Sequence, residues 1–219
     1  LILQKKSDRF GYYLQTGNYI TPNLAEPIVR SSKIYNSYGV IPHAYVSYSF
    51  NTEWSVMGGK LLSMPGFENP FTYQNQNIQR GILERHNNTI SDGVQLNYKT
   101  ERQSFFATLN DGFYSGTYTW LGAGGSFKHD DYNTTNVMWA GSLRRNEVST
   151  TVTPSLQNNS QILNISHSLK LENWSFTPYY QFTTVPANVK TATQGRLVTN
   201  GFAAIINYQT PKPLDLLGR

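Results

Sequence analysis

The feature that most limits what this chain can fold into is a two-residue alternation that recurs through its second half. Residues 93–99 set Val94, Leu96 and Tyr98 on one side and Gln95, Asn97 and Lys99 on the other. The same period opposes Phe105, Ala107 and Leu109 to Ser104, Phe106, Thr108 and Asn110, and Leu121, Ala123 and Phe127 to Trp120, Ser126 and Lys128. Further on, Val137, Trp139 and Leu143 oppose Asn136, Met138, Ser142 and Arg144, and Ile165, His167 and Leu169 oppose Asn164, Ser166 and Lys170. Trp174, Phe176, Tyr180 and Phe182 then oppose Ser175, Thr177, Gln181 and Thr183. Successive side chains leave a strand on opposite sides, so these are strands with two unlike faces. Their apolar faces hold no Asp, Glu, Lys or Arg. The polar faces hold Lys99, Lys128, Arg144 and Lys170 among Ser, Thr, Asn, Gln and Gly.

The connections alternate as strictly as the side chains. Short turns fall at 51–52, 100–101, 130–133 and 172–173, and long ones at 21–38, 63–91, 113–119, 146–159 and 187–194. Short turns at one end and long loops at the other are the mark of an up-and-down transmembrane barrel, whereas a Greek-key sandwich breaks that regularity. The expected fold is all-β: an antiparallel transmembrane β-barrel spanning 1–219 as one domain, with about ten full strands. Residues 1–4 read as the tail of a strand, and 214–219 as the start of another. Leu1-Ile2-Leu3-Gln4 shows no basic leader or cleavage site, and no aromatic closes the chain, so the expectation is a piece of a larger barrel.

Composition agrees. Only 14% of residues are charged, against roughly 25% in soluble domains. Aromatics make up 14%, and Tyr19, Tyr48, Phe50, Trp54, Tyr98, Phe127, Trp139, Trp174 and Phe176 lie near strand ends, as in an interfacial girdle. No run approaches the ~18 apolar residues of a spanning helix, and mean hydropathy is −0.46. The absence of cysteine excludes a disulfide framework and thiolate metal sites. A soluble β-sandwich lectin is the competing architecture, but it would send charges of both signs to its surface.

The stretch 63–91 is long for a link between two strands, and such loops are usually functional. It is expected to fold inward and narrow the barrel, with Lys60, Glu68, Arg80, Glu84 and Arg85 at the constriction, the arginines opposing the acids across it. Lys99, Lys128, Arg144 and Lys170 would supply lumen charge. With a net charge of +5, they favour anions, since charges lining a pore set its selectivity.

Four pieces of this region carry a family resemblance: Gly59-Lys60 at a strand end, Gly66-Phe67-Glu68, Asn77-Ile78-Gln79-Arg80, and Asp92-Gly93-Val94 opening the next strand. Together they resemble the OmpL-like β-barrel porins of Gram-negative outer membranes, most clearly over residues 59–110. Gly81 departs from the small hydroxyl residue usual after the family's Arg. The resemblance implies a passive porin in contact with lipid bilayer and lipopolysaccharide, passing small hydrophilic solutes; porins of this kind are often homotrimers. A ligand-specific channel or receptor-like barrel for a saccharide or organic anion is the rival.

Catalysis finds little footing. His43, His86, His129 and His167 are scattered, without metal-ligand spacing or an adjacent nucleophile. No catalytic residue, cofactor or metal is expected, and no basic cluster points to nucleic acid.

Overall fold

The computed structural model describes residues 1–5, 9–22, 24, 27–62, 68–71, 75, 79–147, 155–187 and 195–209, with Arg85 and Ser155 described by their backbone alone. Eleven strands form one antiparallel sheet in chain order: β1 (Ile2–Lys5), β2 (Phe10–Gln15), β3 (His43–Ser49), β4 (Trp54–Leu62), β5 (Ile90–Lys99), β6 (Gln103–Asn110), β7 (Trp120–Lys128), β8 (Asn133–Ser142), β9 (Gln161–Leu171), β10 (Trp174–Val185) and β11 (Leu197–Tyr208). Among the described residues the sheet is open, with β1 and β11 as its edges. β1 is the short first strand expected at the start, while 214–219 lie outside the described residues.

The short turns gather at one rim. There the backbone N–H groups of Lys99, Lys128 and Lys170 donate to the carbonyls of Glu53, Arg102 and Tyr132, which ties neighbouring turns together. The opposite rim carries the long connections, with helix α1 (Ser31–Tyr38), a 3-10 turn (Ile82–His86) and helix α2 (Ser155–Asn158).

Burial runs opposite to that of a soluble sheet. Val94 is 56% exposed and its neighbour Gln95 only 4%. Leu96, Phe105, Leu109, Val137, Ile165 and Phe176 are exposed, whereas Thr108, Asn110, Asn164, Ser166, Thr177, Gln181 and Thr183 are buried. A sandwich would bring the apolar faces together into a dry core, so that architecture is excluded. Leaving this apolar area in water would forgo about 25 cal/mol per Å². The arrangement is stable where the outer solvent is hydrocarbon and every backbone group is paired within the sheet.

Several of the inward polar groups pair with one another, as interior polar atoms generally do. Asn164 Nδ2 donates to Gln181 Oε1 (2.9 Å), Asn136 Nδ2 to Ser166 Oγ (3.2 Å) and Thr177 Oγ1 to Ser168 Oγ (3.0 Å). On the outer face, Trp54, Tyr98, Phe105 and Phe127 form a chain of ring contacts with centroids 4.8–6.1 Å apart, continued at β10 and β11 by Trp174 and Tyr208 at 4.6 Å. Phe105 and Phe106 lie over glycines directly opposite them in β7. A Cβ at Gly125 or Gly124 would come within 2.7 or 2.6 Å of those rings.

Two small apolar cores lie at the long-connection rim. Phe113, Trp120, Ala140 and Ile162 form one. Tyr19, Ile34 and Phe71 form the other, with Tyr35, Tyr38 and Leu62 against it. The second explains two departures from the sequence reading. Tyr19, expected in the outer girdle, lies beyond the end of β2 at Gln15, because its ring turns onto Ile34 and Phe71. Residues 31–38, expected as irregular connection, coil into α1 because Ile34, Tyr35 and Tyr38 then share one face against that cluster.

Candidate functional site on the polar face of the sheet

The connection between β4 and β5 leaves at Leu62 and returns at Ile90, two neighbouring, paired residues. Its described part nevertheless touches strands far around the sheet. Gln181 Nε2 of β10 donates to the Leu83 carbonyl at 3.0 Å, and the Leu83 side chain fills the space where a Cβ on Gly201 would stand. Gln181 and Gly201 face each other in the β10–β11 register. Two residues earlier in the connection, Gly81 lies beside the Tyr179 hydroxyl. β4 and β10 are six steps apart, about 29 Å on a flat sheet at ~4.8 Å per strand. Residues 81–83 of the connection therefore lie against the polar face far from β4, and a twisted sheet of this width curls toward them.

A second connection supports the first. The Arg80 N–H donates to the Pro22 carbonyl (3.0 Å) and the Leu24 N–H to the Arg80 carbonyl (2.8 Å). A cavity of about 590 Å³ remains between this double layer and the wall, lined by Leu24, Glu68, Gln79, Gly81, Tyr179 and β11 residues Ala203 to Ile205.

The expected constriction residues sort into two poles. On one side, Lys60 Nζ donates to the Tyr38 carbonyl (2.8 Å) and sits 5.0 Å from the centre of the Tyr114 ring. Arg80, 4% exposed, belongs to the same side. Burial pushes the Tyr38 phenol up, and the Arg80 charge and a hydrogen bond with Thr89 oppose that shift. On the other side, Glu68 Oε2 accepts from the Gly81 N–H (2.6 Å). Glu84, 1% exposed, accepts from Asn87 Nδ2 at Oε2 (2.7 Å) and from the Glu68 N–H at Oε1 (3.4 Å). Arg80 and Glu84 are thus buried within the folded connection, and Lys60 and Glu68 are the partly open members. The Arg85 side chain, and Gly66-Phe67 and Asn77-Ile78 of the motif, lie outside the described residues.

The four expected lumen cations do not share a level. Lys99 and Lys128 end β5 and β7 and Lys170 is the next-to-last residue of β9, all at the short-turn rim, and Lys128 Nζ pairs with Asp131 Oδ1 at 2.6 Å. Arg144 lies at the opposite rim, just past β8. Asp111 was not singled out in the sequence, although an Asp-Gly directly after a strand marks a turn with a carboxylate to place. It is buried, Oδ1 accepting from the Asp92 N–H (2.9 Å) and Oδ2 from the Gly116 N–H (3.0 Å). Burial, aided by the nearby Asp92 charge, pushes its carboxyl up to about 6 against these two hydrogen bonds. Gln181, Gly201 and Tyr179 were equally unmarked, since their role depends on a partner elsewhere in the chain.

The histidines read as scattered come closer than their spacing suggests. His129 Nε2 and His167 Nδ1 both contact Thr135 Oγ1, at 2.8 and 2.9 Å. Among the described residues there is still no group of three or more potential metal ligands.

An open run of up-and-down strands, apolar outside and polar within, with a long connection laid over the polar face, defines a β-barrel membrane protein of the porin class. All 219 residues match the family model described as "Putative beta-barrel porin-2, OmpL-like", and the chain belongs to that family. Membership carries an outer-membrane location and a porin-like role in contact with membrane lipid and small solutes. No curated protein and no solved structure matches the chain.

Proposed function

We propose that this chain is the wall and the constriction of a diffusion porin in a Gram-negative outer membrane, passing small hydrophilic solutes and ions with a preference for anions. The observation that supports the reading is the hydrogen bond from Gln181 to Leu83, which holds that residue of the connection against the far side of the polar face. Water and solutes pass beside that connection. Lys60 on one side and Glu68 on the other give a field across the path. Lys99, Lys170 and Arg144 bias the two ends toward anions, although screening limits each to about 8 Å at physiological salt.

Recording in planar bilayers tests this. Steady conductance that rises linearly with salt is expected, with a reversal potential in a salt gradient on the anion side. A correctly folded barrel that gives no channel would remove the transport reading. The 590 Å³ cavity beside Glu68 and Tyr179 favours a second reading, a channel with a saturable site. Conductance that saturates with one class of solute would select it.

A further inference from the structure

The cavity of about 590 Å³ between the folded connection and the far wall has a single charged residue in its described lining, Glu68. That carboxylate uses Oε2 to accept from the Gly81 N–H (2.6 Å). No Lys or Arg among the described residues pairs with it. The cations of the connection are turned the other way, Lys60 Nζ to the Tyr38 carbonyl and the Arg80 charge toward the Tyr38 phenol. A negative charge thus faces the cavity with no described positive one beside it.

Gly81 opens the space in front of that charge. A Cβ at this position would stand 3.1 Å from Glu68 Oε2 and 3.7 Å from the Tyr179 hydroxyl, so the carboxylate and the phenol converge on one point that glycine leaves clear. The backbone does not require glycine there, since φ is −62° and ψ 164°, an extended conformation open to any residue. Gln79 adds an amide to the same lining. Away from these polar atoms the wall is apolar, formed by Leu24, whose side chain is 45% exposed, and by Ala203 and Ile205 of β11. Apolar walls with a few convergent polar groups are the form of a small-molecule site.

We infer that this cavity binds a primary ammonium carried on an apolar body, its head between Glu68 and Tyr179 and its alkyl part against Leu24 and Ile205. An ammonium brings N–H donors and no acceptor. The Glu68 carboxylate, the Tyr179 oxygen and the Gln79 carbonyl are acceptors to match them. A partly withdrawn carboxylate gains more from a cation than from a neutral hydroxyl, because the hydrogen bond is charge-assisted. An anion of the same shape would meet that carboxylate unscreened, so the cavity rejects the solutes that the pore ends attract. The inference rests on the saturable-site reading above and gives that site its ligand class.

The test is titration calorimetry of the refolded whole chain in detergent with hexylammonium, hexanol and hexanoate, each corrected for its heat of transfer into protein-free micelles. The three share an alkyl chain and differ in the head group. Saturable binding of hexylammonium is expected, about tenfold or more tighter than hexanol, as a charge-assisted hydrogen bond sustains, with no binding of hexanoate. Glu68→Gln keeps the shape without the charge and should bring hexylammonium down to the level of hexanol. Gly81→Ala fills the point between carboxylate and phenol and should weaken hexylammonium by a similar factor; it also serves should Glu68→Gln fail to fold. Glu101→Gln removes the same charge from an exposed short turn and should leave affinity unchanged. Hexanol binding as tightly as hexylammonium, affinity unmoved by Glu68→Gln or by Gly81→Ala, or equal loss in Glu101→Gln overturns the site. Ammonium chloride competing as well as hexylammonium overturns the apolar half of it. Bilayer conductance of the same samples separates the readings. Saturation by another class of solute, with hexylammonium unbound, keeps the saturable channel and defeats this ligand, whereas hexylammonium binding to a chain that passes no current defeats transport and leaves the site standing.

Discussion

The Gln181 side-chain amide donates a 3.0 Å hydrogen bond to the carbonyl of Leu83, 98 positions earlier in the chain. The same leucine's side chain lies over Gly201, directly opposite Gln181 on the next strand. One residue of a long connection is thus gripped by a cross-strand pair on the far side of the sheet, and that grip fixes where the connection lies.

Loosening it should free the connection without unfolding the wall. Gln181→Leu removes the bond to Leu83, worth about 1 kcal/mol, together with the one Gln181 accepts from Asn164, and Gly201→Val places a branched side chain where Leu83 now packs. Both variants should show faster tryptic cleavage after Arg80 or Arg85, and larger current fluctuations in single-channel records. Unchanged cleavage in both would mean that Leu83 does not hold the connection.

The two faces should respond oppositely to the same charge. Val94→Arg puts a guanidinium against hydrocarbon, at about 2–4 kcal/mol near the middle of the bilayer, while Gln95→Arg, one residue on, adds it to the polar interior. Folding into lipid vesicles, measured by urea titration, should suffer for the first and change little for the second. Equal losses would be inconsistent with an outer lipid face at β5.

Three of the cations should differ in their effect on selectivity. Lys99→Gln and Lys170→Gln should each move the reversal potential toward cations. Lys128→Gln should move it less, because Asp131 already stands 2.6 Å from that ammonium. A larger shift from Lys128 than from either of the others would contradict this.

Asp111 should make the connection after β6 firmer in mild acid than at neutral pH. Its carboxyl is raised from an ordinary 3.8 to about 6. For a raised group the stabilising contribution is complete below the unfolded value and is lost as pH climbs through the folded one. The Gly116 amide, bonded to Asp111, should therefore exchange more slowly at pH 4.5 than at pH 7 once intrinsic rates are divided out. Asp111→Asn should flatten that dependence.

The strands were legible because a two-residue period is written locally. Val94 beside Gln95, or Ile165 beside Asn164, announces a two-faced strand without reference to any other part of the chain. The order of short and long connections then left the up-and-down sheet as the consistent topology. Helix α1 was not legible, because Ile34 and Tyr38 form a face only once Tyr19 and Phe71 are beside them.

The charged residues of the long connection show where sequence stops. Alone, it marked Lys60, Glu68, Arg80, Glu84 and Arg85 as equals, since charges in a polar loop look alike. Tertiary contacts separated them: Arg80 is covered where its backbone pairs with Pro22 and Leu24, and Glu84 where Asn87 caps it. The sequence by itself determined which side of the six strands β5 to β10 is apolar, because that depends on neighbours two residues away. Only the tertiary structure decided which charges meet water, because the groups that bury them come from connections and strands distant in the chain.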